Sequence, residues 1–238
     1  RFDVARGVDP TSLELALECP EFYHIFVNGK RIQFGNAKRW IDPRLRSVSI
    51  DRMVRSGQNE VRVVGQPFDV RMELENIYIR GNFSLEAAKS GFQIVPQITL
   101  HVGPWSRQGF PYYSELVSYD TAVNLPPTDK RIMLHLPLWK GGSATVEVDG
   151  KRVGFIAWMP FELDVTEFLS PGKHDVRVTV AGTPKNLFGP FHDPFRSRNT
   201  AWPQMWSRFP EHGLPSGNKY DVEEYGLFRA PRLLLREG

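Results

Sequence analysis

The stretch Val146–Val180, VEVDGKRVGFIAWMPFELDVTEFLSPGKHDVRVTV, decides how this chain is read, because Val27–Val64, VNGKRIQFGNAKRWIDPRLRSVSIDRMVRSGQNEVRVV, repeats its order of features. Gly29 matches Gly150, Trp40 matches Trp158, Asp51 matches Asp164 and Gly57 matches Gly172, at shifts of 121, 118, 113 and 115 residues. VEVDGKRV alternates apolar and polar residues about Asp149-Gly150, and VNGKRI does so about Asn28-Gly29. Such pairs specify a two-residue hairpin, since both central residues of a type I′ turn need positive φ. Asp164–Leu169 reads as one short helical turn closed by Ser170-Pro171-Gly172, and Asp175–Val180 returns to period-two alternation. The predicted architecture is all-β, as two tandem sandwiches.

Working outward, Leu13, Leu15 and Leu17 match Ile132, Leu134 and Leu136, and Phe2-Asp3 matches Tyr119-Asp120. The strand-rich run Gln97–Val117 has no earlier counterpart, so the first unit is expected to lack its opening strands and to leave a sheet edge uncovered. Glu75–Arg80 matches Glu224–Arg229 at a shift of 149, which gives the second unit an insertion of about 34 residues. The expected domains are 1–90, N-terminally incomplete, and 96–238, with an aromatic insertion over 181–219. Loops of that length are functional or disordered, and one holding Phe188, Phe191, Phe195, Trp202, Trp206 and Phe209 is too aromatic for disorder.

Composition narrows the function classes. No apolar run approaches the roughly 20 residues of a membrane-spanning helix. The formal charge of +3 is small, although Arg39, Arg44, Arg46, Arg52 and Arg55 gather in the first unit; nucleic-acid binding needs a denser basic stripe, so these arginines read as a solvated strand face or an anion-binding surface. Cys19 is the single cysteine, which excludes an internal disulfide and a cysteine-rich zinc site. Asn82-Phe83-Ser84 is a glycosylation triplet by form, set in a strand-like run. The segment at Arg1 is not signal-like, so export would be encoded upstream; a secreted or periplasmic location is favoured over a cytoplasmic one.

Gln108–Tyr113, Val148-Asp149-Gly150, Ala157–Phe161, Leu163–Thr166 and Asn186–Pro190, taken in that order, resemble the galactose-binding-like β-sandwich (jelly-roll) modules of large bacterial glycoside hydrolases of the family 2 and family 106 (α-L-rhamnosidase) type. Trp40–Pro43 and Leu74–Phe83 look like segments of the same ancillary regions. The resemblance implies a carbohydrate-binding or ancillary module, partnered by a polysaccharide or oligosaccharide and by the catalytic domain of its parent polypeptide. Those enzymes carry their catalytic carboxylates on a βα barrel, and this chain has no strand and long-helix alternation with which to build one.

Glycoside hydrolysis needs two carboxylates flanking the scissile bond. Glu115, Glu162, Glu211, Glu223 and Glu224 are available, but nothing pairs any two of them, so no catalytic residue is assigned. Asp164 and Asp51 precede a short turn, where a carboxylate caps backbone N–H groups. His192, Asp193, Glu211 and His212 match no zinc spacing. The sequence demands no cofactor; structural calcium suits sandwiches of this type, yet no loop of clustered acidic residues announces it.

Aromatic residues remain, since a sugar's apolar face stacks on Trp or Tyr while Asn, Arg or His reach its hydroxyls. The expected ligand-binding set is Trp202, Trp206, Tyr112, Tyr113, His192, Arg196 and Asn199, with Arg198 beside them. Packing of the loop, or docking on a neighbouring domain, is the competing account of the same residues. Trp40 and Trp158 recur in both units, which points to core packing. Three functions stay open: carbohydrate binding, a structural module packed on the catalytic barrel, and a sandwich-fold polysaccharide hydrolase or lyase.

Overall fold

The computed structural model describes residues 1–72, 75–189 and 213–237. Among them there is no α-helix, only strands, short 3-10 turns and loops, and the domains are β-sandwiches. The chain divides into two compact units, residues 1–99 with 210–220, and residues 100–209 with 221–238.

The first unit holds β1 (Phe2–Val4), β2 (Glu14–Glu18), β3 (His24–Val27), β4 (Lys30–Ile32), β5 (Lys38–Trp40), β6 (Asp42–Ser49), β7 (Gly57–Asn59), β8 (Val61–Val64), β9 (Tyr78–Arg80), β10 (Phe83–Ala87) and β11 (Phe92–Pro96). Its sheets run β10-β11-β1-β7, β5-β6-β2-β9 and β4-β3-β8. Leu13, Leu15, Leu17, Ile25, Val27, Ile32 and Ile50 form the core, as the period-two pattern requires. β1 is an inner strand: β11 pairs parallel to it, and β7 lies on its other side. Residues 213–220 also belong to this unit, where the Gly91 N–H donates to Pro215 O at 2.7 Å and the Phe92 and Tyr220 rings lie 5.4 Å apart.

The second unit holds β12 (Leu116–Leu125), β13 (Arg131–His135), β14 (Trp139–Lys140), β15 (Ser143–Val148), β16 (Lys151–Ile156), β17 (Glu162–Asp164), β18 (Gly172–Ala181), β19 (Gly226–Leu227) and β20 (Arg232–Arg236). One sheet runs β12-β18-β15-β16; the order β17-β13-β20 and the pair β14-β19 complete the sandwich. Inward residues Ala144, Val146, Val148, Val176, Val178 and Val180 meet Ile132, Leu134 and Leu136. Trp105, from the run without an earlier counterpart, is fully buried; its indole N–H donates to Tyr119 Oη at 2.7 Å. Gly226, at φ +125°, is required there, since a Cβ would lie 2.7 Å from Trp105 Nε1.

Pairing confirms the repeat and corrects its alignment. Both hairpins have positive φ at the two turn residues, Asn28 and Gly29, and Asp149 and Gly150. Phe2 lies opposite Asn59, and Val123 lies opposite His174, so Phe2 corresponds to Val123 and not to Tyr119. A long alternating strand offers no unique register until its partner is known. Ile79 faces Leu15 as Leu233 faces Leu134, so β9 corresponds to β20 and not to Glu224–Arg229. Val165 N–H donates to Ile132 O as Ile50 N–H donates to Leu13 O, which aligns Asp164 with Ser49. Capping survives the correction: Asp164 Oδ1 accepts from Thr166 N–H at 3.0 Å, and Ser49 Oγ accepts from Asp51 N–H at 3.3 Å.

Candidate ligand-binding surface

The second unit presents aromatic residues where its sequence reads as core. Ile156 on β16 is buried, so alternation turns Phe155 to the outer face of the sheet, where it is 49% exposed. The segment after β16 is fixed further on: Phe161 turns inward against Trp139, with ring centroids 5.5 Å apart, and its carbonyl accepts from Leu136 N–H at 2.9 Å. Between these anchors Trp158 and Met159 are pushed outward, 69% and 77% exposed. Trp158 meets Phe155 edge-on, at 5.8 Å and 85°. The core position expected for Trp158 is therefore wrong; among the described residues no second sheet covers the outer face of β16.

Polar side chains stand on the same face, and the exposed Leu116 lies one step beyond Ser118. Phe155 is the register partner of Thr145, which pairs with Thr179, whose hydroxyl lies 2.9 Å from that of Ser118. One step along the strands, Arg177 makes two hydrogen bonds to Asp120, at 2.6 and 3.2 Å, and pairs in register with Glu147. The guanidinium holds the Asp120 carboxyl below its ordinary range. An apolar ring pair beside fixed hydroxyls, a carboxylate and a guanidinium offers stacking and hydrogen bonding on one surface.

Trp40, the repeat partner, is half-buried outside the main core. Its ring lies edge-on to Tyr78 at 5.2 Å, with the Arg80 guanidinium over it at 4.3 Å, and Arg80 also donates to Glu14 at 3.1 Å. Here the outer face of the sheet is covered by its own side chains.

Of the residues expected from sequence, Tyr113 is built into the second core. Its ring packs edge-on to Trp105 and Phe110, its hydroxyl donates to Leu116 O at 3.1 Å, and burial raises its pKa. Tyr112 is half-buried beside it. Trp202, Trp206, His192, Arg196 and Asn199, together with Arg198, Asp193, Glu211 and His212, lie outside the described residues.

The stems of the insertion are pinned from both sides. Asn186 is buried, donating to Glu223 O at 2.8 Å and accepting from Glu223 N–H at 2.8 Å. Tyr225 and Thr183 share a 2.6 Å hydroxyl contact. The Glu223 carboxylate is bound by Lys140, with Lys185 at 3.6 Å, and Glu224 accepts from Arg107 at 2.6 Å. Among the described residues no three His, Cys, Asp or Glu side chains gather to hold a metal ion, and no helix is long and apolar enough to cross a membrane.

Sequence reasoning missed Phe155, although alternation about Ile156 would have placed it outward. Trp158 carried no such signal, because it stands in a loop between strands.

No family model and no curated protein matches the chain. Among solved structures it is similar to a rhamnosidase from Novosphingobium sp. PP1Y, with 17% identity and a TM-score of 0.38 over 95% of this chain and 20% of that one. It is also similar to an uncultured Clostridium sp. β-glucuronidase, with 22% identity and a TM-score of 0.28 over 46% of this chain and 17% of that one. The chain thus spans about a fifth or less of the length of either, and the likeness is distant and concerns strand architecture alone.

Proposed function

We propose that this chain is a non-catalytic carbohydrate-binding module of a larger polypeptide, and that Trp158 and Phe155 form its stacking surface. The observation that carries this reading is the exposure of an edge-to-face aromatic pair on an anchored segment, with Thr145 next to Phe155 across the strands and the hydroxyls of Thr179 and Ser118 on the two strands beyond. An exposed apolar patch has a use or is an aggregation hazard, and hydroxyls beside it suit a sugar better than a purely apolar partner. The resemblance noted in the sequence supports a bacterial glycoside hydrolase as the parent. Met159, an apolar side chain still more exposed, supports a second reading in which this patch docks on the catalytic domain.

Affinity electrophoresis against plant, algal and microbial polysaccharides tests the proposal. Retardation on one polymer class is expected, with no new reducing ends. Trp158→Ala should abolish it while leaving the melting temperature unchanged, because so exposed a ring contributes little to folding. Retardation by no polymer moves the reading to docking. Turnover of a glycan would establish an enzyme.

A further inference from the structure

We infer that Arg39 and Arg46 form a two-guanidinium site for a single oxyanion in the first unit. The two are register partners on β5 and β6, so both side chains leave the same face of the sheet. Like charges directly opposite one another destabilise a strand pair. Among the described residues neither guanidinium has a hydrogen-bonding or ion-pair partner to relieve this.

Of the other arginines of the unit, Arg6 and Arg52 also lack a side-chain partner among the described residues, and the rest contrast with the pair. Arg1, Arg44, Arg71 and Arg80 each face a carboxylate, at 3.2, 3.9, 2.7 and 3.1 Å. Arg31, Arg55 and Arg62 find His24, the Gln58 carbonyl and the Phe26 ring. Residues 38–55 hold six Lys or Arg against two Asp, and both carboxylates are engaged by backbone: Asp42 by Arg44 N–H, and Asp51 by Arg52 N–H, each at 2.7 Å. No counter-charge for the pair comes from this segment.

The site is also reachable. β5 is the edge strand of its sheet, and Arg39 is exposed while Arg46 is half-buried. Guanidinium forks match the paired oxygens of a carboxylate, sulfate or phosphate, and an anion between two of them turns repulsion into attraction. The ligand is a small oxyanion, either free or carried as the acid group of a sugar. This inference does not depend on the aromatic surface of the second unit.

The test is thermal unfolding of the whole chain in sodium sulfate, in sodium chloride at equal ionic strength, and with trigalacturonate or maltotriose. Wild type, R39Q, R46Q and W158A are compared. Sulfate stabilises most proteins by exclusion from their surface, so the readout is the difference between wild type and the arginine variants. Wild type should gain melting temperature in sulfate or trigalacturonate beyond the chloride and maltotriose controls, and W158A should keep the gain in sulfate. R39Q and R46Q should lose that extra gain, with half-saturation shifted about ten-fold or more, as for one lost charge-assisted hydrogen bond. A response to sulfate identifies a general oxyanion site; a response to trigalacturonate alone identifies an acidic sugar as the source. Equal behaviour in sulfate and chloride without a trigalacturonate response, or an extra gain retained by R39Q, overturns the inference. Arg39 is exposed, so R39Q carries the test should R46Q unfold.

Discussion

Asn59→Asp is nearly isosteric and should nevertheless unfold the first unit at much lower temperature. Asn59 is fully buried and uses its whole hydrogen-bonding capacity. Its Nδ2 donates to Arg55 O at 2.7 Å and to Gly57 O at 2.8 Å; its Oδ1 accepts from Arg55 N–H at 2.9 Å and from Asn28 Nδ2 at 2.7 Å. The backbone N–H fixes the amide orientation, so a carboxylate there would aim an oxygen at two carbonyls. Two hydrogen bonds vanish and two carbonyl groups lose their partner, at about 1–3 kcal/mol each, or roughly 2–6 kcal/mol in all. Near the melting temperature, about 1 kcal/mol moves a domain of this size by roughly 4–8 °C, so a fall of about 10 °C or more is expected. Acid should return part of the loss, because a protonated carboxyl donates to one carbonyl again. Calorimetry of wild type and Asn59→Asp from pH 4 to 8 measures both effects. A variant within about 0.5 kcal/mol of wild type, the range of ordinary surface changes, would refute the account of Asn59 as the closure of this turn.

The second unit builds the same junction from charge, because His174 and Asp149 stand where the first has Asn59 and Asn28. His174 Nδ1 meets Asp149 Oδ2 at 2.6 Å and Nε2 meets Ser170 O at 2.8 Å; an acceptor at each nitrogen favours the doubly protonated ring, and its pKa is raised by Asp149 and then by Ser170. Its contribution to stability is therefore fully present below the ordinary value of 6.5 and is lost as pH rises through the folded pKa. Asp149, with its pKa lowered first by His174, contributes above 3.8 and loses this as pH falls through its folded pKa. Urea midpoints from pH 5 to 9 should decline on the alkaline side, and the decline should flatten in the double variant His174→Asn with Asp149→Asn; an unaltered slope would place its source elsewhere. Asn186→Ala removes both bonds to the Glu223 backbone and should cost about 2 kcal/mol in urea unfolding; a variant within about 0.5 kcal/mol of wild type would show that Asn186 does not hold the stems.

Sequence alone settled what depends on short-range chemistry. Asn28-Gly29 and Asp149-Gly150 permit one tight turn, alternation about them makes strands, and recurrence of the pattern makes two units. The short cap could be read too, because Asp164 reaches only two residues ahead. Tertiary structure decided everything that depends on which strand lies alongside. Leu233 rather than Phe228 corresponds to Ile79, Arg39 meets Arg46 instead of a carboxylate, and β11 covers the edge of β1, through pairings between residues distant in the chain. Trp40 and Trp158 show the limit most plainly, since similar surroundings in sequence leave one beneath Arg80 and the other in water. An aromatic side chain is core or binding surface according to what covers it, and that cover is supplied by other strands of the fold.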